Sequence, residues 1–209
     1  ALGSEIPTAG TAFHGAKSSG TGFINADMTD AYNSGVRAEL GVTRSLAKNR
    51  MITGHVTYGK AEGRQFTFRN FENNNLGIAT MSDHEELSLE LGMRQYMNQD
   101  MNRMKPYVEG RVGATKINDI SLNDVRLVSA EAGTGDDYNF FKGGWVGSVA
   151  ALVGIEKPIS NKVMVGVEAG VRYNTSLDGA DPTPTTLIGT DNYEERWTVP
   201  VSLRGRYRF

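Results

Sequence analysis

Residues 163–174 read VMVGVEAGVRYN, and this stretch decides the expected fold. Its odd-numbered positions are valine, alanine or tyrosine, whereas its even-numbered positions include glycines, Glu168 and Arg172. A period of two is typical of a β-strand, because successive side chains point to opposite faces. The stretch therefore predicts a long strand with one apolar face and one face that carries charge.

The same alternation recurs along the chain. It predicts further strands at 34–43, 52–58, 87–94, 107–115, 145–156 and 196–209. Several of these run for about 10 to 13 residues, whereas strands in soluble proteins are usually about 5–6 residues long. A strand that crosses a bilayer needs roughly 9–11 residues. The strand lengths therefore favour a transmembrane sheet over the core of a soluble one.

The connections between these strands alternate between short and long. Tight turns are predicted at 47–50, 98–102 and 160–162, and long polar stretches at 64–84, 118–143 and 177–192. Short turns on the periplasmic side and longer loops outside are typical of bacterial outer-membrane barrels. The loop rhythm is a second signal, independent of the alternation.

A barrel whose two ends both face the periplasm needs an even number of strands, and the landmarks above give seven. We therefore place another strand near Thr11–Phe23, with an external loop around Asn25–Asn33. Residues 1–10 are then an N-terminal periplasmic segment. The predicted fold class is all-β: a closed antiparallel up-and-down transmembrane β-barrel of eight strands with a filled polar interior. It is predicted to form a single domain over residues 1–209.

The polar faces of the predicted strands carry charges of both signs. A lysine or arginine that faces lipid costs about 2–4 kcal/mol in such barrels. An eight-stranded interior, by contrast, is just wide enough to be filled by side chains that satisfy one another. We therefore predict a structural ion-pair network inside the barrel rather than a gated proton or ion path. Its predicted members are Arg37, Glu39, Glu90, Arg94, Glu109, Arg111, Glu168, Arg172 and Arg204.

Composition narrows the possible functions. The chain has no cysteine, which excludes disulfides, thiolate metal sites and cysteine nucleophiles. A net charge of −2 gives no reason to expect a nucleic-acid partner. No apolar run reaches the roughly 18 residues that a membrane-spanning helix needs. The chain begins at Ala1 rather than methionine, and we interpret it as exported, with its signal peptide removed.

The C-terminal segment 197–209 ends in an aromatic residue, and its alternate positions are apolar, small or aromatic. This pattern resembles the terminal-strand signal of Gram-negative outer-membrane proteins. With the strand number and the loop asymmetry, the whole chain resembles the OmpA/OmpX-like group of small barrels. The resemblance implies residence in the bacterial outer membrane and contact with its lipid and lipopolysaccharide. It also implies that the barrel assembly machinery recognises Leu203, Tyr207 and Phe209.

Two features of the predicted strands bear on this resemblance. Pro200 lies inside the last strand, where it cannot donate a ladder hydrogen bond, and we expect a bulge or a local break in pairing there. Outward aromatic residues are typical of the girdles at the two membrane interfaces. The candidates for these girdles are Tyr58, Tyr173, Trp197, Tyr207 and Phe209.

Candidate catalytic and metal-binding residues are few. Ser82, Asp83 and His84 are the residue types of a hydrolase triad, but adjacent positions point in different directions. The three histidines lack the spacing of metal ligands. We interpret the acidic groups as solvated loop charge: Asp27 with Asp30, Asp136 with Asp137, and Asp178 with Asp181. The sequence therefore predicts no catalytic, cofactor-binding or metal-binding residue.

The favoured function is a structural or interaction barrel that presents long external loops to a partner or a surface. The alternatives are a lipid-modifying enzyme of the same architecture and a narrow channel for small solutes. A soluble lipocalin-like barrel would have the faces reversed, with the apolar residues inside. The apolar residues of the second long loop form an exposed docking patch or cap the barrel opening, and both alternatives stay open. They are Leu122, Val125, Leu127, Val128, Phe140 and Phe141.

Overall fold

The computed structural model describes residues 1–13, 26–69, 76–97, 104–177 and 195–208. Several predictions fall outside these residues: the turn at 98–102, most of the strand at Thr11–Phe23, most of the loop at 177–192, Asp178, Asp181 and Phe209. The described elements, in chain order, are β1 (Leu2–Ala9), β2 (Thr11–Phe13), β3 (Ala26–Asp27), α1 (Met28–Ala31), β4 (Gly35–Ala47), β5 (Arg50–Ala61), β6 (Gln65–Arg69), β7 (Leu76–Met81), β8 (His84–Tyr96), β9 (Lys105–Ile117), β10 (Ile120–Leu127), β11 (Asp136–Phe141), β12 (Gly144–Pro158), β13 (Val163–Asn174) and β14 (Arg196–Tyr207).

Eight of these strands close into a barrel in the order β1-β14-β13-β12-β9-β8-β5-β4. Every neighbouring pair is antiparallel, and barrel strands that follow one another along the chain are neighbours in space. Closure leaves each strand with two partners, which removes the exposed edges of an open sheet. The predicted closed antiparallel eight-stranded barrel is therefore confirmed.

The first barrel strand lies earlier in the chain than predicted. Leu2–Ala9 pairs with β14 from Leu2↔Leu203 onward and with β4 from Leu2↔Ala38 to Glu5↔Gly35. Leu2–Ala9 takes the barrel position that was predicted for a strand at Thr11–Phe23, so the prediction of a separate segment at 1–10 is wrong; residues 14–23 lie outside the described part of the chain. Thr11–Phe13 forms the short β2, which pairs with β3 outside the barrel. Gly3 and Pro7 blur the alternation of β1, so its place is fixed by its two neighbours and not by its own pattern.

The alternation in the sequence corresponds to the two faces of the barrel wall. Odd-numbered residues of β8 from Leu87 to Leu91 are exposed on the outside, and the even-numbered Ser88 and Glu90 are buried inside. The other barrel strands repeat this division. Apolar side chains thus cover the outer surface and polar side chains fill the interior, the reverse of the lipocalin-like alternative.

The described connections at one end of the barrel are tight, as predicted. Lys48 and Asn49 form the turn between β4 and β5, and residues 159–162 connect β12 to β13. We call this the turn end, and the opposite end the loop end.

Pro200 behaves as a local break: pairing between β13 and β14 stops at Ala169↔Val201 and resumes at Arg172↔Thr198 in the same register.

The predicted loops 64–84 and 118–143 contain strands. The hairpin β6–β7 extends beyond β5 and β8, the hairpin β10–β11 extends beyond β9 and β12, and β7 pairs with β10. Together they form a four-stranded sheet at the loop end, which we call the cap sheet. Beneath it lies a buried apolar cluster, which we call the cap core: Ala12, Met28, Ala31, Tyr32, Ala79, Met81, Ile117, Ile120, Leu122, Phe141, Val146 and Leu177.

The apolar residues of the second long loop were predicted either to form an exposed docking patch or to cap the barrel opening. The structure places some of them in each position. Leu122 and Phe141 are buried in the cap core, and Val125 packs against it. Leu127 and Val128 remain exposed. The side chain of Phe140 lies outside the described part of the chain. Packing over the barrel opening therefore accounts for some of the apolar residues, while two stay available on the surface.

Candidate functional site: the charged interior

The barrel interior contains all nine charged residues predicted for it. Eight of the nine are buried, and Arg204 is partly exposed. Small hydroxyl side chains on the same inner faces, such as Thr53, Thr57 and Ser88, are completely buried between them. An interior of this size leaves room for long charged side chains only where such small neighbours alternate with them.

Glu109 is the most connected carboxylate of the interior. Its Oε1 accepts hydrogen bonds from Thr53 Oγ1 at 2.7 Å and from Arg111 Nε at 2.9 Å. Its Oε2 accepts a hydrogen bond from Arg94 Nε at 2.7 Å. His55 Nε2 lies 3.0 Å from Oε1, and His55 Nδ1 lies 3.0 Å from Glu39 Oε1. One imidazole therefore bridges two carboxylates from different strands.

Arginines join these carboxylates to the rest of the interior. Arg111 contacts Glu39 at 2.7 Å and Glu168 at 3.1 Å. Arg204, from the last strand, contacts the same two carboxylates at 2.9 and 2.6 Å. Each of the two arginines thus connects strands that are not neighbours in the wall, because Glu39 is on β4 and Glu168 is on β13.

Arg172 extends the contacts toward the loop end. Its Nη1 lies 2.8 Å from Glu90 Oε1, and its Nε lies 3.7 Å from Glu5 Oε1. Arg37 lies 2.8 Å from Glu5 and 3.8 Å from Glu90. Two arginines and two glutamates therefore alternate around a closed ring of contacts.

The network has members that the sequence prediction missed. Glu156 bonds Arg94 and Arg206 and accepts the hydroxyl hydrogen bond of Tyr96 at 2.8 Å. Tyr107 donates to Glu168 at 2.8 Å, and Arg94 lies over its ring at 4.0 Å. Among the described residues, six arginines and six glutamates form one continuous network: Arg37, Arg94, Arg111, Arg172, Arg204 and Arg206 with Glu5, Glu39, Glu90, Glu109, Glu156 and Glu168.

A signal for most of the missed members was present in the sequence. Glu156 and Arg206 lie on the polar faces of strands that were predicted correctly, so the alternation alone would have assigned them inward. Glu5 was missed because its strand was placed elsewhere. Six positive and six negative charges balance, which is the condition under which a buried set of ions avoids an unpaired charge.

A smaller cluster lies between this network and the cap core. Arg196 bonds both His84 and Glu86, and all three side chains are buried. A cavity of about 30 Å³ lies beside them, lined also by Met28 and Tyr32. A space of that size holds one or two water molecules and no larger solute. Above it the cap core covers the loop end of the barrel.

Ser82, Asp83 and His84 do not form a triad. The Ser82 hydroxyl accepts a hydrogen bond from the backbone of Ser121 at 2.9 Å, and His84 points into the barrel. Asp83 points outward to Lys60 at 2.9 Å, and the hydrogen bond from Lys60 lowers the pKa of Asp83 below its ordinary value. Nor do the described residues contain a group of three acidic or histidine side chains placed to hold a metal ion.

The predicted outward residues lie on the outer surface wherever the structure describes them. Leu203 and Tyr207 of the terminal strand are exposed, as is Trp197, whose ring lies 5.0 Å from that of Tyr173 at the loop end. Tyr58 is also exposed. Within the described ranges, no helix is long and apolar enough to cross a bilayer.

Comparison with known proteins does not assign this chain to a family. No model of a protein family matches the sequence, and no curated protein is significantly similar to it. The chain is an all-β protein built on a closed eight-stranded antiparallel barrel. Its membership of the OmpA/OmpX-like group therefore stays a prediction from the sequence pattern.

Proposed function

We propose that this chain is an exported protein of the bacterial outer membrane: a transmembrane barrel with a structural or interaction role. The observation that carries this function is the inverted polarity of the barrel. Leu40 is 80% exposed and Leu91 and Leu203 are each 68% exposed, whereas Arg94 and Arg172 are each 1% exposed. Hydrocarbon around the wall is the environment that suits such a distribution.

Physical chemistry favours lipid over water as that environment. Monomeric soluble proteins rarely expose contiguous apolar patches larger than a few hundred Å². A closed barrel also satisfies its backbone within the wall, which hydrocarbon demands because it offers no hydrogen bonds. Trp145 and Trp197 lie at the loop end and Tyr207 at the turn end, as expected for two interfacial girdles.

This location implies a set of partners. Outer-membrane lipid contacts the outward leucines and valines, and lipopolysaccharide contacts the loop-end half of the wall. The assembly machinery reads Leu203 and Tyr207 together with Phe209.

The cap sheet supplies the interaction surface: β6 and β11 are its edge strands, and Leu127 and Val128 are exposed on it. An exposed edge strand offers unpaired backbone groups to a partner.

Two observations argue against the alternative functions, one against the enzyme and one against the channel. The side chains of Ser82, Asp83 and His84 have separate partners, so no nucleophile is activated there. The interior is filled by ion pairs, and the cap core lies above it. We therefore assign the interior a structural role, as a plug that holds the strands in register.

Planar-bilayer recordings test this function. The inserted protein is expected to leave the membrane electrically quiet, because among the described residues ion pairs fill the interior and the cap core lies above them. An open-lumen porin inserted under the same conditions is the positive control. Discrete conductance steps above the baseline of an empty membrane would contradict the plug and favour a narrow channel.

A further inference from the structure

The hairpin between β4 and β5 carries a cluster of positive charge at the turn end of the wall. Arg44, Lys48 and Arg50 lie close together in this hairpin, and all three are exposed. Residues 40–61 contain no aspartate or glutamate. Of the acidic side chains described in β4, β5, β8 and β9, only Glu85 lies on the outer face, near the loop end. The hairpin therefore presents net positive charge to its surroundings.

Arg44 and Arg50 point outward from neighbouring strands. Arg44 follows Val42 on the outer face of β4 and pairs with Ile52, which is outward on β5. Arg50 precedes Ile52 on the same face, so the two arginines are diagonal neighbours, about 7–8 Å apart. Arg50 Nε donates to Gln95 Oε1 at 2.7 Å, and the described contacts leave its two terminal nitrogens available. The two guanidinium groups can therefore bind one phosphate together.

A shallow apolar groove of about 610 Å³ lies in the outer wall beside this pair, toward the middle of the barrel. Its floor is Gly54, which lies opposite Val42 on one side and Leu91 on the other. Because Gly54 has no side chain, the outer face has a gap between these two exposed apolar residues. The other apolar residues that line the groove are Leu40, Val56, Leu89 and Val112. An extended hydrocarbon chain has the shape and polarity that such a groove fits.

The groove and the arginines are separated as the chain and the headgroup of a lipid are. Gly54 lies on β5 beyond Arg50, at a distance of about 13 Å along the strand. Barrel strands tilt by roughly 35–45°, so the difference in depth is about 10 Å. One leaflet of hydrocarbon is about 15 Å deep, half of a typical bilayer core. A lipid whose phosphate contacts the arginines therefore extends its chain past Gly54.

We propose that this face of β4, β5 and β8 binds an anionic phospholipid, with the phosphate on Arg44 and Arg50 and one acyl chain over Gly54. The inference rests on the membrane location proposed above, because the turn end then lies in the periplasmic leaflet. Phosphatidylglycerol carries a net negative charge and no amine, so it complements the hairpin. Phosphatidylethanolamine carries an ammonium group, which the cations of the hairpin repel. The hairpin therefore selects the charge of the headgroup, and the groove holds the chain.

A soluble phosphate compound and lipopolysaccharide fit these features less well. A free phosphate contacts the arginines but leaves the apolar groove to another molecule. Lipopolysaccharide is assigned above to the loop-end half of the wall, on the opposite side of the bilayer. An anionic phospholipid uses the charge and the groove together.

Competitive lipid binding tests the site, read by native mass spectrometry of the full chain released from detergent micelles. The micelles contain equal amounts of phosphatidylglycerol and phosphatidylethanolamine with identical acyl chains. We expect the barrel to retain phosphatidylglycerol in preference. Arg44→Gln combined with Arg50→Gln should reduce that preference about tenfold, because it removes two of the cations that attract an anionic headgroup.

Two control variants match the two parts of the site. Lys116→Gln combined with Lys142→Gln removes the same charge from exposed positions at the loop end, and should leave the preference unchanged. Gly54→Leu fills the groove, and its new Cβ meets its neighbours at ordinary contact distances of 3.6 and 3.7 Å. That variant should therefore fold and retain severalfold less phosphatidylglycerol. Ala151→Leu enlarges an exposed outward residue of β12 and should retain the natural amount.

Equal retention of the two lipids would overturn the site, as would a double arginine variant that behaves like the double lysine variant. So would a Gly54→Leu variant that keeps heat-modifiable migration and binds phosphatidylglycerol as the natural chain does. Displacement of the lipid by excess glycerol 3-phosphate would overturn the lipid assignment in favour of a soluble phosphate ligand. These results differ from failure of the membrane location, in which the chain stays soluble without detergent and both proposals fall.

Discussion

Replacing Glu109 with alanine is expected to lower the free energy of unfolding by about 3–5 kcal/mol, the usual cost of removing one partner from a buried ion pair. Glu109 is 2% exposed as a residue, and its carboxylate accepts hydrogen bonds from Thr53, Arg94 and Arg111. Without it, the two guanidinium groups lose a partner inside a wall that offers no bulk water in exchange. The six-to-six charge balance of the network is lost as well.

Glu85→Ala is the matched control for this substitution. Glu85 contacts Lys60 at 2.9 Å on the surface of the wall, and solvent-accessible pairs contribute about 0–1 kcal/mol. Equilibrium unfolding in denaturant, in the same detergent for both variants, measures the difference. A Glu109→Ala variant no less stable than Glu85→Ala would show that the network does not stabilise the barrel.

Placing arginine at Leu91 is expected to destabilise the lipid-embedded protein by about 2–4 kcal/mol, the cost of a lipid-facing arginine near the bilayer midplane. Leu91 is 68% exposed on the outer face, near the middle of β8, and lies opposite Val112 of β9. In the proposed location this side chain meets hydrocarbon, which solvates leucine well and a guanidinium poorly.

Leu127→Arg separates the effect of lipid from the effect of the substitution itself. Leu127 is 42% exposed on the cap sheet, outside the barrel wall, and a surface change there is expected to alter stability by no more than about 0.5 kcal/mol. Reversible unfolding from lipid vesicles compares the two variants. Equal stabilities would indicate that the outer face of β8 is not surrounded by hydrocarbon.

The alternation predicted the faces of the wall because it is a local property. In residues 163–174, the inward assignment of Glu168 and Arg172 follows from their even positions alone. The same rule would have included Glu156 and Arg206. Local alternation fails for β1, where Leu2 and Ile6 are the apolar outward residues and Gly3 and Pro7 interrupt the pattern. The place of that strand depends on Leu203 and Ala38, which are far away in the chain.

The partners inside the barrel could not be predicted in the same way. Arg94 contacts Glu156, and Arg172 contacts Glu90, across separations of 62 and 82 residues. Which charges meet depends on strand tilt and register, and these are properties of the closed barrel. His84 shows the same limit: it is the last residue of the predicted loop 64–84, yet it begins β8 and its side chain is buried in the interior.

The cap sheet was missed because its strands are short and the alternation within them is interrupted. Between 118 and 143, polar and glycine residues dominate, and the pattern predicts a loop. The buried Ile120, Leu122 and Phe141 are spaced too irregularly to indicate two strands. Their pairing depends on the neighbouring hairpin, since β10 pairs with β7 as well as with β11.

Heat-modifiable gel migration, paired with circular dichroism, tests most directly whether this closed barrel resides in a membrane. The protein extracted in mild detergent is expected to give a β-rich spectrum. It should also migrate differently before and after boiling, because the ion-paired wall resists the gel detergent until it is heated. A β-rich protein that stays soluble without detergent and shows no shift on boiling would contradict the membrane location.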